Sequence, residues 1–371
     1  MKTNFTNEKC KSIFLLHALG DTIGFKNSIW EFNYNISITD VRSTLEIVSE
    51  FISLGGITNI NLKDWIVSDD TLLNYEIAKF ILDLNNEDLQ EKHIIKLKQE
   101  IIKMIEYQMD NDIQREFGLM TGRAIKNWTD SIDERHTPYK AGSGGNGCSM
   151  RTLPIGIRFN KDSDLNKLIQ CSIETSKITH NSPIGFLGGL ASAYFIKLAI
   201  NGIEIKKWPY LLIDLYESKE VKKYINIEDD NVYFDYRNSI KIWKKTIEIF
   251  FSDKGEPLKL KSSINLISRF KIFIDIEKMM NNNEWAGANG QTSIIMAYIA
   301  LLDCEGIWEK LVYYSMLHGG DSDTVGAIAG GFYGAVYGMG DVPENLLKYL
   351  EMKKELIEIS EKIYKLSTAT L

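Results

Sequence analysis

The sequence predicts an all-α protein, and three observations carry that prediction. Only 6 prolines occur in 371 residues, so long helices meet few breakers. Apolar residues recur at helical spacing through most of the chain. Alternating, strand-type runs are nearly missing: Val232-Tyr233-Phe234 is the one stretch that reads as a minor strand or as no element at all. The chain weighs 42.4 kDa, with 44% hydrophobic and 25% charged residues, a balance that argues against wholesale disorder and allows a large core. It contains no Pro/Ser/Gly-rich linker and no tandem repeat. One compact domain of many helices, residues 1–371, is therefore expected.

The elements follow in order. The apolar run from Ile13 to Leu19 is interrupted by His17 and closed by Gly20-Asp21, with no small-residue cleavage site, so a secretory signal is not expected. Ser68-Asp69-Asp70-Thr71 has the character of a helix N-cap and first turn. Leu73, Ile77, Phe80, Ile81 and Leu84 then fall at i, i+4, i+7, i+8 and i+11. Further helical patterns cover 91–109, 164–177, 185–199, 239–251, 292–302, 307–317 and 344–366. The Lys/Glu-rich stretch 203–261 reads as solvated peripheral helices. Residues 324–340 are apolar but too few for the ~20 needed to cross a bilayer. Gly326, Gly330, Gly334 and Gly338 recur there every fourth residue, so they form one stripe on a helix. Each costs about 1 kcal/mol of helix propensity relative to Ala, and close approach of a neighbouring helix would offset that.

Charge and cysteines narrow the class. The 43 Lys+Arg against 50 Asp+Glu leave a net charge of −7, which disfavours a nucleic-acid-coating surface. Cys10, Cys148, Cys171 and Cys304 are scattered without a CxxC pair. They suggest neither a zinc site nor a disulfide framework, but reduced thiols in a cytoplasmic protein.

Two acidic clusters and one glycine loop can carry chemistry. Ser68-Asp69-Asp70-Thr71 opens one helix, and Gly319-Gly320-Asp321-Ser322-Asp323-Thr324 opens another. Taken singly, each is explained by the helix dipole, which favours acids at the N-terminus by ~0.3–1 kcal/mol. Taken together, four carboxylates with hydroxyl neighbours would repel in a dry pocket unless hard divalent cations cancel the charge. Gly142-Ser143-Gly144-Gly145-Asn146-Gly147 can bring backbone N–H groups against an anion such as a diphosphate, or be an ordinary flexible loop. Glu31, between Trp30 and Phe32, is either a proton-transferring carboxyl or a surface Glu beside a packed ring. His180 ends a helical pattern, and Trp285-Ala286-Gly287-Ala288 is either a pocket edge or a turn.

Read in order, GDTIG, WEF, VSDDT, GNGCSMR, ITH and GGDSDT, from Gly20 to Thr324, resemble the ADP-ribosylglycohydrolase family. Trp30-Glu31-Phe32, Val67 to Thr71 and Thr179-His180 look most like its ADP-ribosylarginine hydrolase branch. The glycine loop looks more like the branch that cleaves serine-linked ADP-ribose. The resemblance implies a compact all-α fold with a binuclear metal cleft holding two Mg²⁺, with Mn²⁺ as the substitute. Carried over, Ser68, Asp69, Asp70 and Asp323 would bind one metal, and Asp321, Asp323 and Thr324 the other. Asp69, Asp70, Glu31 and Asp321 would be catalytic. Ser143, Gly144, Gly145, Asn146 and Gly147 would hold the diphosphate. His180, Trp285, Gly287 and Ala288 would lie along the ADP-ribose. The implied activity is hydrolysis of the N-glycosidic bond of ADP-ribosylated arginine in a protein partner, releasing ADP-ribose, with no nucleic acid or membrane involved. The alternatives are a hydrolase of serine-linked ADP-ribose or O-acyl-ADP-ribose, and a catalytically inactive ADP-ribose binder. One departure stands out: where the arginine branch commonly has an acid after the Trp-Gly loop, this chain has Gly290-Gln291-Thr292.

Overall fold

A computed structural model describes residues 5–32, 42–85, 87–111, 113–252, 255–257, 265–280 and 286–369. Among them are seventeen α-helices: α1 (Asn7–Phe25), α2 (Arg42–Ser53), α3 (Gly56–Asn59), α4 (Asp69–Leu84), α5 (Glu91–Asp110), α6 (Leu119–Ser131), α7 (Leu153–Arg158), α8 (Leu165–Lys177), α9 (Pro183–Ile200), α10 (Trp208–Tyr216), α11 (Lys219–Lys222), α12 (Asp230–Phe250), α13 (Leu266–Met279), α14 (Thr292–Cys304), α15 (Trp308–Ser315), α16 (Ser322–Tyr337) and α17 (Lys353–Thr368). The described residues form no strand. Two isolated bridges, Gly145 with Asn289 and Phe251 with Pro257, are the β-type pairings among them. The all-α expectation holds.

Three helices differ from their sequence patterns. Val232, Tyr233 and Phe234 are not a strand: they lie in the first turns of α12, which starts at Asp230 because the Asp229 carboxylate caps the N–H groups of Asn231 and Val232. The pattern 344–366 is not one helix. A 3₁₀ turn, Glu344–Leu347, is separated from α17 by a kink in which Met352 takes a left-handed φ of 57°. Gly338 is not part of the packing stripe; it ends α16 at φ 70°.

The remaining three stripe glycines account for the central packing. α1 and α16 run against each other along their length. A Cβ on Gly326, Gly330 or Gly334 would lie 2.6, 2.0 or 2.6 Å from the backbone oxygen of Gly20, Leu16 or Ser12 respectively. Glycine lets the two backbones touch, and dispersion contacts along that seam offset the lost helix propensity. α14 packs on α16, and α9 lies against α7, α8 and α16. The 18-residue α9 is apolar enough to span a membrane by length and composition, but most of it is buried inside the fold. The four cysteines are free and buried.

Two helix N-termini point into the same place. α4 begins at Asp69, capped by Ser68, whose Oγ accepts the Asp70 N–H at 3.1 Å. α16 begins at Ser322, directly after Asp321, and abuts α4.

Candidate active site

The two acidic clusters converge. The Thr324 hydroxyl donates to Asp70 Oδ1 at 3.3 Å across 254 residues of sequence. One carboxylate oxygen each of Glu31, Asp321 and Asp323 lie within 4.8 Å of one another. Asp69, Asp70, Asp321, Asp323 and Thr324 are all buried, and Glu31 is half-buried. Burial is the first cause that lifts every one of these carboxyls above the usual range. For Asp70 the neighbouring Asp21, Asp69 and Asp321 add repulsion; for Asp323, Glu31, Asp70 and Asp321 do so. Asp69 is raised by Asp21 and Asp321. Glu31 is raised further by Asp321, Asp69 and Glu116.

This donor set fits divalent cations. Asp70 Oδ2 and Asp321 Oδ1 are buried and have no hydrogen-bond partner among the described residues. A buried carboxylate oxygen left unpaired is costly, and hard cations take such oxygens as ligands. Ser68 Oγ keeps one lone pair beyond its capping bond. The Glu31 carboxylate, expected as a catalytic group, stands with those of Asp321 and Asp323.

One residue central to the site received no role from the sequence. Asp21, fully buried on α1, accepts the backbone N–H groups of Ser68 and Thr71 at 3.0 and 3.1 Å, and the Thr71 hydroxyl. It thus holds the first turn of α4 in place. Burial pushes its carboxyl up to about 6, against those hydrogen bonds. Its GDTIG setting was a signal without a spatial partner. Arg115 and Glu351 act similarly. The Arg115 guanidinium bonds the Val67 carbonyl and grips both Glu351 oxygens at 2.8 Å, and Glu351 accepts the Val67 N–H.

The glycine loop is clamped rather than loose. Gly145 pairs with Asn289, Gly290 N–H donates to Gly144 O at 2.9 Å, and Asn146 N–H donates to Ala288 O at 3.1 Å. The Asn146 amide donates to both Gly287 O and Asp321 Oδ2 at 2.8 Å. This loop, the 286–290 loop and the second acidic cluster therefore form one edge of the site, which includes Ser143, Gly144, Gly147, Gly287 and Ala288. The Ser143 hydroxyl is buried without a partner among the described residues. Trp285 lies outside the described residues. His180 follows α8 and is buried with Nδ1 2.8 Å from Thr179 Oγ1. A Cβ on Gly147 would sit 2.7 Å from its Cε1, so Gly147 is what lets the ring approach the loop so closely. Burial, then the nearby Arg151, push His180 down to about 3, so the ring is neutral.

Gln291 answers the departure noted in the sequence. It is fully buried, accepts from Trp243 and Tyr216 at 2.9 and 3.1 Å, and donates to Ile184 O at 2.9 Å. Its side chain is a core hydrogen-bonding hub, and no carboxylate stands at that position.

A helical fold with a convergent acidic cleft of this kind defines a class, and the comparisons agree with it. The ADP-ribosylglycohydrolase family model matches residues 2–370, and the chain belongs to that family. It is 32% identical over 384 residues to ADP-ribosylhydrolase ARH1 of Dictyostelium discoideum, covering 96% of this chain and 93% of that protein. A protein of Acanthamoeba polyphaga mimivirus named as an ADP-ribosyl glycohydrolase is also 32% identical over 336 residues; the chain spans only 64% of its length. ADP-ribosylhydrolase ARH3 of Bos taurus is 23% identical, covering 62% of this chain and 60% of that protein. The solved structure of an ADP-ribosylglycohydrolase-related protein complex shares the fold at a TM-score of 0.58 and 17% identity, over 98% of this chain and 99% of that one.

Proposed function

We propose that this chain, acting as one cytoplasmic catalytic domain, hydrolyses the N-glycosidic bond between ADP-ribose and an arginine side chain of a modified protein, using Mg²⁺. Membership of the family supports hydrolysis of an ADP-ribose linkage as the reaction class. The observation that carries the reading is the buried convergence of the Asp69-Asp70 and Asp321-Asp323 clusters, with two carboxylate oxygens left unpaired. Ser68, Asp69, Asp70, Asp321, Asp323 and Thr324 would hold the cations. When bound, these would supply charge neutralisation and Lewis acidity toward ribose hydroxyls and a water.

The chain's own groups do the rest. The Asn146 amide fixes the rotamer of Asp321. Asp21 fixes the turn that carries Asp69 and Asp70. Glu31 has its carboxylate within 4.8 Å of the Asp321 and Asp323 oxygens, where it could give a proton to the departing guanidine nitrogen, as general-acid catalysis requires. Neutral His180, Ser143 to Gly147, Gly287 and Ala288 line the edge where ADP-ribose would lie. Free, buried cysteines support the cytoplasmic setting.

The test is ADP-ribose release from arginine-linked and serine-linked ADP-ribosylated peptides, with Mg²⁺ and with EDTA. Release from the arginine peptide, abolished by EDTA, is expected. Release from the serine peptide alone would move the function to that linkage. Binding of ADP-ribose without release from either would make the protein a binder.

A further inference from the structure

The segment that delivers Glu31 has an unusual backbone. Lys26, Asn27 and Ser28, none of them glycine, take left-handed φ values of 40°, 53° and 66° in succession, and Phe32 follows at 47°. Non-glycine residues seldom adopt this region, and a run of three persists only where neighbours over-determine it. The neighbours are present. The Lys26 ammonium pairs with Glu50 of α2 and sits 4.6 Å over the Trp30 ring. Trp30 is fully buried, donates from Nε1 to Glu50 Oε2 at 2.8 Å, and meets Trp65 and Phe51 edge-on at 5.5 and 6.2 Å. The Asn27 amide donates to Asp64 O at 3.1 Å and accepts Ile66 N–H at 2.9 Å, two residues before Ser68. Phe32 N–H donates to Gly320 O at 3.0 Å, next to Asp321.

We propose that Lys26, Asn27, Trp30 and Glu50 form a positioning clamp that fixes Glu31 against Asp321 and Asp323, and that Glu50 is its keystone. This rests on the role given to Glu31 above. These contacts tie the Glu31 turn to α2, to the segment leading into α4 and, through Phe32, to the Gly320 turn. Glu50 itself is exposed and touches no reacting group; it holds both the cation and the indole of the turn. Asn27 suits its place because Asn tolerates left-handed φ while its amide spans two backbone groups.

The test is a kinetic double-mutant cycle on the full chain with Mg²⁺ and an arginine-ADP-ribosylated peptide, folding being checked by circular dichroism. Glu31→Gln should lower kcat at least ~100-fold. Glu50→Ala should lower kcat about tenfold with KM changed less than about threefold, and Glu50→Gln should recover most of the loss. In the Glu31→Gln background, Glu50→Ala should add less than about twofold. If Glu50→Ala unfolds the chain, Asn27→Gly takes its place, since glycine keeps the left-handed turn and deletes only the bridge. Equal factors in both backgrounds, or an unchanged kcat in Glu50→Ala, overturn the clamp while leaving the hydrolase reading intact. An unchanged kcat in Glu31→Gln removes Glu31 from the reaction, and the clamp with it.

Discussion

Asp70 and Asp321 each present one buried oxygen with no partner among the described residues, and that single-atom fact separates them from ordinary helix caps. Asp70→Asn or Asp321→Asn is expected to lower kcat/KM at least ~10²-fold, the scale for losing one well-placed charged group, as read by ADP-ribose release. Near-parent turnover by both, with the metal still required, would reject the site. A different residue-scale prediction concerns His17. It is buried, with Nε2 2.8 Å from Met150 O, and burial pushes it down from 6.5 to about 4. The folded state thus keeps it neutral while the unfolded chain protonates from 6.5 downward, so its contribution is present above 6.5 and lost as pH falls toward 4. His17→Gln removes that dependence. Between these two pH values the parent should lose stability faster than the variant by about 1.4 kcal/mol per pH unit, measured by urea unfolding; parallel slopes would contradict the neutral ring.

The α1–α16 seam is where an element-scale argument decides the outcome. A methyl group on Gly330 would sit 2.0 Å from Leu16 O, and backbone on the far side cannot rotate away as a side chain can. Gly330→Ala should therefore destabilise by at least ~3 kcal/mol despite its gain in helix propensity of about 1 kcal/mol. A rise in Tm would mean the helices are not in contact there. The same substitution at Gly338, whose nearest neighbour is Lys9 Cγ at 4.0 Å, meets no backbone but must adopt φ 70° with ψ −141°, outside the left-handed helical well; its cost is backbone strain alone, about 1–3 kcal/mol. Asp21 acts at this scale too. Asp21→Asn keeps the shape but replaces one acceptor oxygen with a donor facing two N–H groups, and should loosen the first turn of α4. The expected sign is a weakened Mg²⁺ affinity, seen by titration calorimetry, with helix content unchanged.

For the whole molecule the governing quantity is the charge buried at the convergence of α4, α16 and the Glu31 turn. Asp69, Asp70 and Asp323 lie well above 3.8 in the folded chain without metal, through burial first and then mutual repulsion. Raised folded values mean that the contribution of these three acids is fully present below 3.8 and is lost as pH rises through them. Above pH 6.5, where the buried His17 no longer contributes, the EDTA-treated protein should lose Tm as pH rises through those raised values. Mg²⁺ should restore it, by about 2.7 kcal/mol at a hundred times its Kd. No shift of Tm with Mg²⁺ would mean the carboxylates do not share a cation.

How much was legible in the sequence follows from what is local. Helical periodicity, Ser68 as a cap, the acid-hydroxyl composition of both clusters and the every-fourth spacing of Gly326, Gly330 and Gly334 are short-range properties, set by 3.6-residue geometry and backbone hydrogen bonding. They could be read directly, and they singled out both acidic clusters as candidates. Val232 to Phe234 misled because β-rich composition is a weak preference that an Asp229 cap and packing override. Asp21, Glu351 and Glu50 gave no usable signal, since each acts on a backbone or side chain far away in the chain, and a carboxylate looks the same whether it caps solvent or holds a turn of the site. The meeting of Asp70 with Thr324, the burial that raises every carboxyl, the buried place of Gln291 and the clamp around Glu31 were decided by tertiary structure alone. Distance and desolvation between remote segments set those energies, and neither is a property of a sequence window.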